Sequence, residues 1–393
     1  DTISYPYEWS FAGLKAAALL HLDIHNVALE RGVTLTDASA YNIQFAGPRP
    51  VFIDHLSFRP YREGEIWRAH LQFCEQFLNP LLVQAKVGLP HNILYRGHPE
   101  GLPTSVLKRL LPWSAILSTR TCMHVYLPQM FESRSVRKGE IPKAVHRAKL
   151  PRSAFGSMLA GLRTWIERLE PKYSRASAWS RYTGTESYSR EEYAAKARFV
   201  HDFVRSTAPL RLWDAGCNTG EYASIALEAG AGLVVGLEKD SVTLEAAFRR
   251  AVDERLNFLP LHQDLLNPSP GLGWNECEHD ALRVRANADA VLALAILHHL
   301  VVGGNVPLSD AVEWLVGIAP RGIIEFVPRD DPMVRRMLAL REDGFPDYSR
   351  RDFHSALDRA GAVVRRKEKL SGGRHLVWYE RNPTGAGARV SCA

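Results

Sequence analysis

The sequence predicts an α/β protein whose C-terminal half is a doubly wound, Rossmann-like sheet of seven strands, preceded by a smaller α+β domain. Three observations predict it. From Pro209 onward, short apolar runs alternate with amphipathic segments, as repeated βα units do. One of them, 290–295, is apolar throughout, as a strand covered on both faces is. The first of them ends at a carboxylate and a Gly-bearing turn.

In chain order, residues 210–215 form the first strand, and 221–228 read as helix. Residues 233–237 form a second strand ending at Glu238. The Ser241 hydroxyl is placed to cap a helix reaching about Arg255. Residues 256–261, 290–295 and 322–327 supply three more strands. A helix over 349–360 stops at Gly361, and 363–369 with 375–380 form a closing hairpin around Ser371-Gly372-Gly373. The domain limits read 1–130, then a basic linker and helices over 131–205, then 206–382. A small, polar tail over 383–393 is expected to be disordered.

Composition narrows the class. The chain has 393 residues, 46% hydrophobic and 23% charged, which suits two globular domains. No apolar run reaches the roughly 20 residues a membrane span needs, and residues 1–9 lack the character of a signal peptide. Five scattered cysteines with no C-x-x-C pair argue against a disulfide framework or thiolate zinc site, so a reducing cytoplasm is expected. The net charge of +6 is mild. Its densest stretch, 134–152, reads as a solvated linker before it reads as a phosphate-binding surface.

The informative segment is Asp214-Ala215-Gly216-Cys217-Asn218-Thr219-Gly220. Gly216 and Gly220 let backbone approach a ligand where a Cβ would collide, and a helix start offers unpaired N–H groups. In the dinucleotide frame G-x-G-x-x-G, the second and third positions hold Asn218 and Glu221, so both glycines are missing. S-adenosylmethionine has no pyrophosphate and carries two cationic groups, which suits Asp214. Glu238, 24 residues on, can accept from two ribose hydroxyls, with Lys239 beside it. After the third strand, Asp264 can accept from an adenine amino group, with Leu265 against the ring.

These elements resemble the class I methyltransferase superfamily. The segments Tyr5-Pro-Tyr-Glu-Trp9, Ala38-Ser-Ala-Tyr-Asn42, Phe52-Ile-Asp54, Asp214 to Gly220, Ile296-Leu-His-His299, Glu325-Phe-Val-Pro328 and Arg341 to Tyr348 extend the resemblance over about residues 5–380. They resemble bacterial methyltransferases of the NoeA nodulation type. The resemblance implies methyl transfer from S-adenosylmethionine and names no acceptor. The wider superfamily loop often reads G-x-G-x-G; Asn218 stands at its middle glycine and tolerates unusual backbone angles.

Methyl transfer is an in-line displacement, and an oxygen or nitrogen acceptor usually needs a base. His298 and His299 follow the fourth strand, which ends at Ala295. As neighbours on a helix start they are expected to point roughly 100° apart, so one aims into the site, His298 by preference. Glu325, Asp343, Tyr348, Tyr182 and Tyr188 are candidates for acceptor contact, and Lys196 for cofactor or acceptor contact. His21 and His25 share a helix face, but no H-E-x-x-H pattern accompanies them, and no metal is expected. The acceptor is expected to be a small molecule or glycoconjugate methylated on oxygen. N- or C-methylation including RNA, and a non-catalytic binding role, are the alternatives.

The N-terminal domain carries a second pattern. Asp37 and Asn42 lie five apart and Asp54 twelve further on, after a helix-like stretch over 11–31. The spacing resembles the catalytic loop and metal-binding Asp of protein-kinase-like phosphotransferases. The 36 residues before Asp37 contain no Gly-rich phosphate loop and no strand lysine, and Leu35-Thr36 replaces His-Arg. The region reads as a kinase C-lobe-like remnant that binds or presents the acceptor.

Overall fold

In the computed structural model, residues 2–126, 149–173, 189–339, 341, 345–370 and 372–381 are described. Tyr182, Tyr188, Asp343, the tail 383–393 and most of the basic stretch 134–152 lie outside them. The chain divides into two units, essentially residues 3–177 and 178–393. No helix among the described residues is long and apolar enough to cross a membrane.

In the first unit, Ser10 opens helix α1 (Phe11–Glu30), its hydroxyl accepting from Gly13 N at 3.0 Å. Ala and Leu at helical spacing give α1 a buried side carrying Leu14, Ala17, Ala18, Leu22 and Leu29. Strand β1 (Val33–Leu35) follows, then a hairpin of β2 (Ile43–Ala46) and β3 (Arg49–Phe52). Its turn holds Gly47 at φ +59. Strand β4 (Phe58–Pro60) pairs back on β1. Residues 70–87 alternate α and π turns. Helix α2 (Arg152–Glu167) packs along α1, with Arg163 on Asp23 at 2.5 Å.

The second unit starts with helix α3 (Arg190–Thr207), opened by a Ser189/Glu192 capping box. Strand β5 (Arg211–Ala215), helix α4 (Glu221–Glu228), strand β6 (Leu233–Glu238), helix α5 (Ser241–Asp253) and strand β7 (Phe258–His262) follow. After a long connection come β8 (Ala290–Ala293), helix α6 (Leu308–Ile318) and β9 (Arg321–Phe326). Helices α7 (Pro332–Leu338) and α8 (Arg350–Arg359) precede the hairpin β10 (Ala362–Lys369) and β11 (His375–Arg381).

The seven strands lie in the order β10-β11-β9-β8-β5-β6-β7. The five from β9 to β7 are parallel, and β11 runs antiparallel to both its neighbours. This is the methyltransferase-like α/β sheet that the resemblance implies. Leu212, Val234, Phe258, Leu292 and Ile323 are all buried, because helices cover both faces. The chain moves outward from β5 through β6 to β7, then returns to β8 on the other side. In doubly wound sheets ligands bind at such a reversal, outside the carboxyl ends of the strands, here those of β5 and β8.

Two local expectations are corrected. Asp240, not Ser241, caps α5, its Oδ1 accepting from Val242 N at 3.0 Å and Thr243 N at 2.9 Å. The carboxylate is one residue earlier and reaches two orphan donors where a hydroxyl would reach one. The fourth strand stops at Ala293, and Ala295 takes φ +50, leaving the extended conformation.

Candidate functional site

Parallel strands that share a direction bring their carboxyl ends to one edge. Along it, from β9 to β7, stand Glu325, Ala295, Asp214, Glu238 and Asp264. The Gly-bearing turn hangs between β5 and α4. Gly216, Asn218 and Gly220 all have positive φ, at +81, +49 and +81. A Cβ on Gly220 would stand 2.4 Å from Phe258 Cε1, so glycine is needed for space and for dihedral. Asn218 adopts the left-handed conformation expected of it.

The turn is tied to the end of β6. Gly216 N and Cys217 N both donate to Leu237 O, at 2.9 and 3.2 Å. Asn218 N donates to Glu238 Oε2 at 3.0 Å, while Glu238 Oε1 accepts from Lys239 N and Asp240 N, both at 2.8 Å. Three of the roughly four acceptor positions of this carboxylate are thereby used. Burial raises the Glu238 pKa, against the pull of these backbone donors. Lys239 Nζ lies 2.7 Å from Asp264 Oδ2, joining the ends of β6 and β7. Leu265 beside it is half-buried. The Cys217 side chain joins the core, its thiol donating to Asn218 O at 3.6 Å.

Asp214 is 2% exposed, and its Oδ2 has no hydrogen-bond partner among the described residues. Burial pushes its pKa up to about 7, Lys196 opposes this, and Glu238 adds to it. A buried carboxylate with an unpaired oxygen is set up to receive a cation or donor. The adenosylmethionine ammonium is such a group, and the Gly turn leaves room for its backbone approach.

His298 and His299 follow β8, His298 as the cap residue of a π-helical turn over His299–Gly303. Instead of pointing apart, their ring centroids lie 4.1 Å from each other, although His298 keeps helical dihedrals at φ −67 and ψ −26. His298 is 2% exposed with Nδ1 unpartnered. Its pKa is held well below the usual value, first by burial, then by His299, Arg374 and Lys196. Burial lowers His299 to about 4. Both rings are therefore neutral at pH 7.

Beside them runs a buried ladder of charges. Lys196 Nζ from α3 lies 2.6 Å from Glu325 Oε2 and 4.8 Å over the Tyr222 ring. Arg374 Nη1 lies 3.5 Å from Glu325 Oε1, and its Nε 2.7 Å from Asp331 Oδ2. Asp331 Oδ1 also caps α7 through Met333 N at 2.9 Å. Sequence reasoning missed Arg374; Gly372-Gly373 before it signals a turn, not the charge the turn carries inward. Tyr348 is 1% exposed, and its hydroxyl is committed to Val327 O at 2.7 Å.

In the first unit, Asn42 Nδ2 donates to Asp37 Oδ2 at 3.0 Å and to Asp54 Oδ2 at 3.1 Å, so one amide bridges the three residues that the spacing singled out. His21 and His25 share the inner face of α1, with ring centroids 6.1 Å apart.

No family model matches the chain. Among solved structures, it is similar to magnesium protoporphyrin IX methyltransferase (ChlM) from Synechocystis PCC 6803 with bound SAH, at 19% identity and a TM-score of 0.38, over 52% of this chain and 93% of that one. It is similar also to an O-methyltransferase family protein from Burkholderia thailandensis, at 13% identity and a TM-score of 0.35, over 48% of this chain and 55% of that one. In sequence it is 45% identical over 383 residues to nodulation protein NoeA of Rhizobium meliloti (strain 1021), a match spanning 97% of this chain and 80% of the relative. With that identity along nearly its whole length, the chain belongs to the NoeA family.

Proposed function

We propose that this chain is an S-adenosylmethionine-dependent methyltransferase acting on an oxygen of a small molecule or glycoconjugate. The observation that carries the reading is the row of Asp214, Glu238 and Asp264 at the carboxyl ends of three successive parallel strands, around a glycine turn, with one Asp214 oxygen left without a partner among the described residues. Asp214 would hold the ammonium, Glu238 the ribose hydroxyls, and Asp264 with Leu265 the adenine. The cofactor supplies a methyl group on a sulfonium. His298, neutral and with Nδ1 unpartnered among the described residues, would take the acceptor's proton.

Calorimetric titration with S-adenosylhomocysteine tests the cofactor assignment. Binding is expected, and Asp214→Ala should weaken it by about 1–3 kcal/mol, the scale of unpairing a buried polar group. Unchanged affinity in the variant would overturn the assignment. His298→Ala should lower turnover by about 10²–10⁴ while cofactor affinity persists; a near-wild-type rate would remove His298 from the chemistry.

We read residues 1–130 as a kinase C-lobe-like region that binds or presents the acceptor. Support comes from the Asn42 amide spanning Asp37 and Asp54. Phosphotransfer by this region predicts Mg-ATP binding that Asp54→Ala abolishes; acceptor presentation predicts none.

A further inference from the structure

The Lys196–Glu325 pair is 2% and 0% exposed at the side chains, and it sits at the cofactor edge, where stability alone gives no reason for it. Taking two charges out of water carries a penalty that their attraction often fails to recover, so an apolar pair would serve packing as well. Its position is more telling. Glu325 is the last residue but one of β9 and Asp214 the last but one of β5, with β8 between them. Lys196 reaches in from α3, bonds Glu325 at 2.6 Å, and its charge bears on both Asp214 and His298. The ammonium is therefore paired with the carboxylate on the acceptor side, and its charge also favours the anion of the carboxylate proposed for the cofactor.

The amino-acid end of adenosylmethionine carries a carboxylate as well as an ammonium. Asp214 suits the ammonium. A carboxylate entering an edge already lined by Asp214, Glu238, Glu325 and Asp331 needs a cation. Two buried cations are near. Arg374 is fixed between Glu325 and Asp331, and Asp331 also caps α7, so moving Arg374 would undo a helix start. Lys196 is a point charge on a flexible stem with three rotatable donors, which can turn to a second carboxylate that replaces the first.

We propose that Glu325 is an internal counter-ion that the cofactor's carboxylate displaces from Lys196, so that loading the cofactor releases Glu325 to hold the acceptor. The inference rests on the adenosylmethionine reading and adds an order to it, with cofactor bound first. Before loading, Glu325 is engaged by Lys196 and Arg374. After it, Glu325 keeps Arg374 and turns an acceptor position toward the acceptor's hydroxyl.

The test compares S-adenosylhomocysteine with its decarboxylated analogue, by calorimetry on the full chain. Wild type should prefer the carboxylated ligand by about 10- to 100-fold, the scale of one charge-assisted bond. In K196M the preference should fall close to 1. Because both ligands are measured on the same protein, a general loss of stability cancels from the ratio. Should K196M fail to fold with Glu325 left only its Arg374 partner, K196M/E325L removes both charges and should likewise show no preference. E325Q is the decisive variant: removing the competitor should tighten S-adenosylhomocysteine severalfold and leave the decarboxylated ligand unaffected. A preference kept in K196M, or E325Q binding S-adenosylhomocysteine no tighter than wild type, overturns the exchange. Wild type that binds neither ligand instead overturns the cofactor reading itself.

Discussion

A single oxygen, Asp214 Oδ2, shows how much of the site is decided one side chain at a time. Burial raises its carboxyl to about 7, so at neutral pH it is divided between acid and anion. A cationic ligand binds only the anion. As pH falls below about 7, the proton must first be removed, and affinity for S-adenosylhomocysteine should drop up to about tenfold per pH unit. Above that value affinity should level off. The same calorimetric titration, run from pH 8 to pH 5.5, checks this, and Asp214→Asn should flatten the profile. A wild-type profile that is already flat would mean Asp214 stays charged without help. Glu238 behaves differently, although it too is a carboxylate at a strand end. Three backbone donors hold it, so its part is to fix the glycine turn as well as to meet a ligand. Both residues were legible in the sequence, because a strand followed by an acid is a local pattern. Their unequal environments were not, since they depend on Leu237, Lys196 and Asp240, which fall beside them only after folding.

Among the elements, the turn from β5 to α4 is the most constrained. Gly220 has φ +81, and an added Cβ would meet Phe258 of β7 at 2.4 Å. Gly220→Ala combines left-handed strain with overpacking, and should destabilise the chain by roughly 2–4 kcal/mol. Chemical denaturation measures this; a loss under 0.5 kcal/mol would show that Phe258 yields. The tight packing explains why the strands could be read from sequence. Runs such as Val234–Leu237 and Ala290–Ala293 are apolar on both faces because helices cover both, and that leaves a mark in composition. The hairpin and the helix stop at Gly361, with φ +71, were legible for the same local reason. The charge ladder was not. Lys196, Glu325, Asp331 and Arg374 come from α3, β9, the start of α7 and the β10–β11 turn, and no spacing rule links them. The pairing of His298 with His299 was not legible either, because ring contact depends on side-chain rotamers that the helical period does not set.

At the scale of the whole molecule, the first unit carries an acid sensitivity built from its core. His21, His25, Trp67, His70, His124 and Trp165 form a continuous chain of rings with centroids 5.2–6.4 Å apart. Burial lowers His21, His70 and His124 to about 4 and His25 to about 3, with neighbouring charge contributing for all but His21. These folded values lie below the unfolded value of 6.5, so the unfolded chain binds more protons between them. The stability they permit is complete above about pH 6.5 and is lost as pH falls from there towards 4. For a histidine shifted to about 4, the loss at pH 5 is roughly 2 kcal/mol relative to neutral pH. Several such groups together approach the about 5–15 kcal/mol that holds a domain folded. The first unit should therefore unfold near pH 5. Circular dichroism and tryptophan fluorescence of the full chain against pH would follow it, since Trp67 and Trp165 lie in the ring chain. His21 is the sharpest control, because neither ring nitrogen has a hydrogen-bond partner among the described residues. Replacing it with leucine removes one buried titrating group and two unsatisfied atoms at similar volume. His21→Leu should move the acid midpoint down and lessen the pH dependence between 6.5 and 4. A midpoint unmoved by that variant would place the acid sensitivity outside this core.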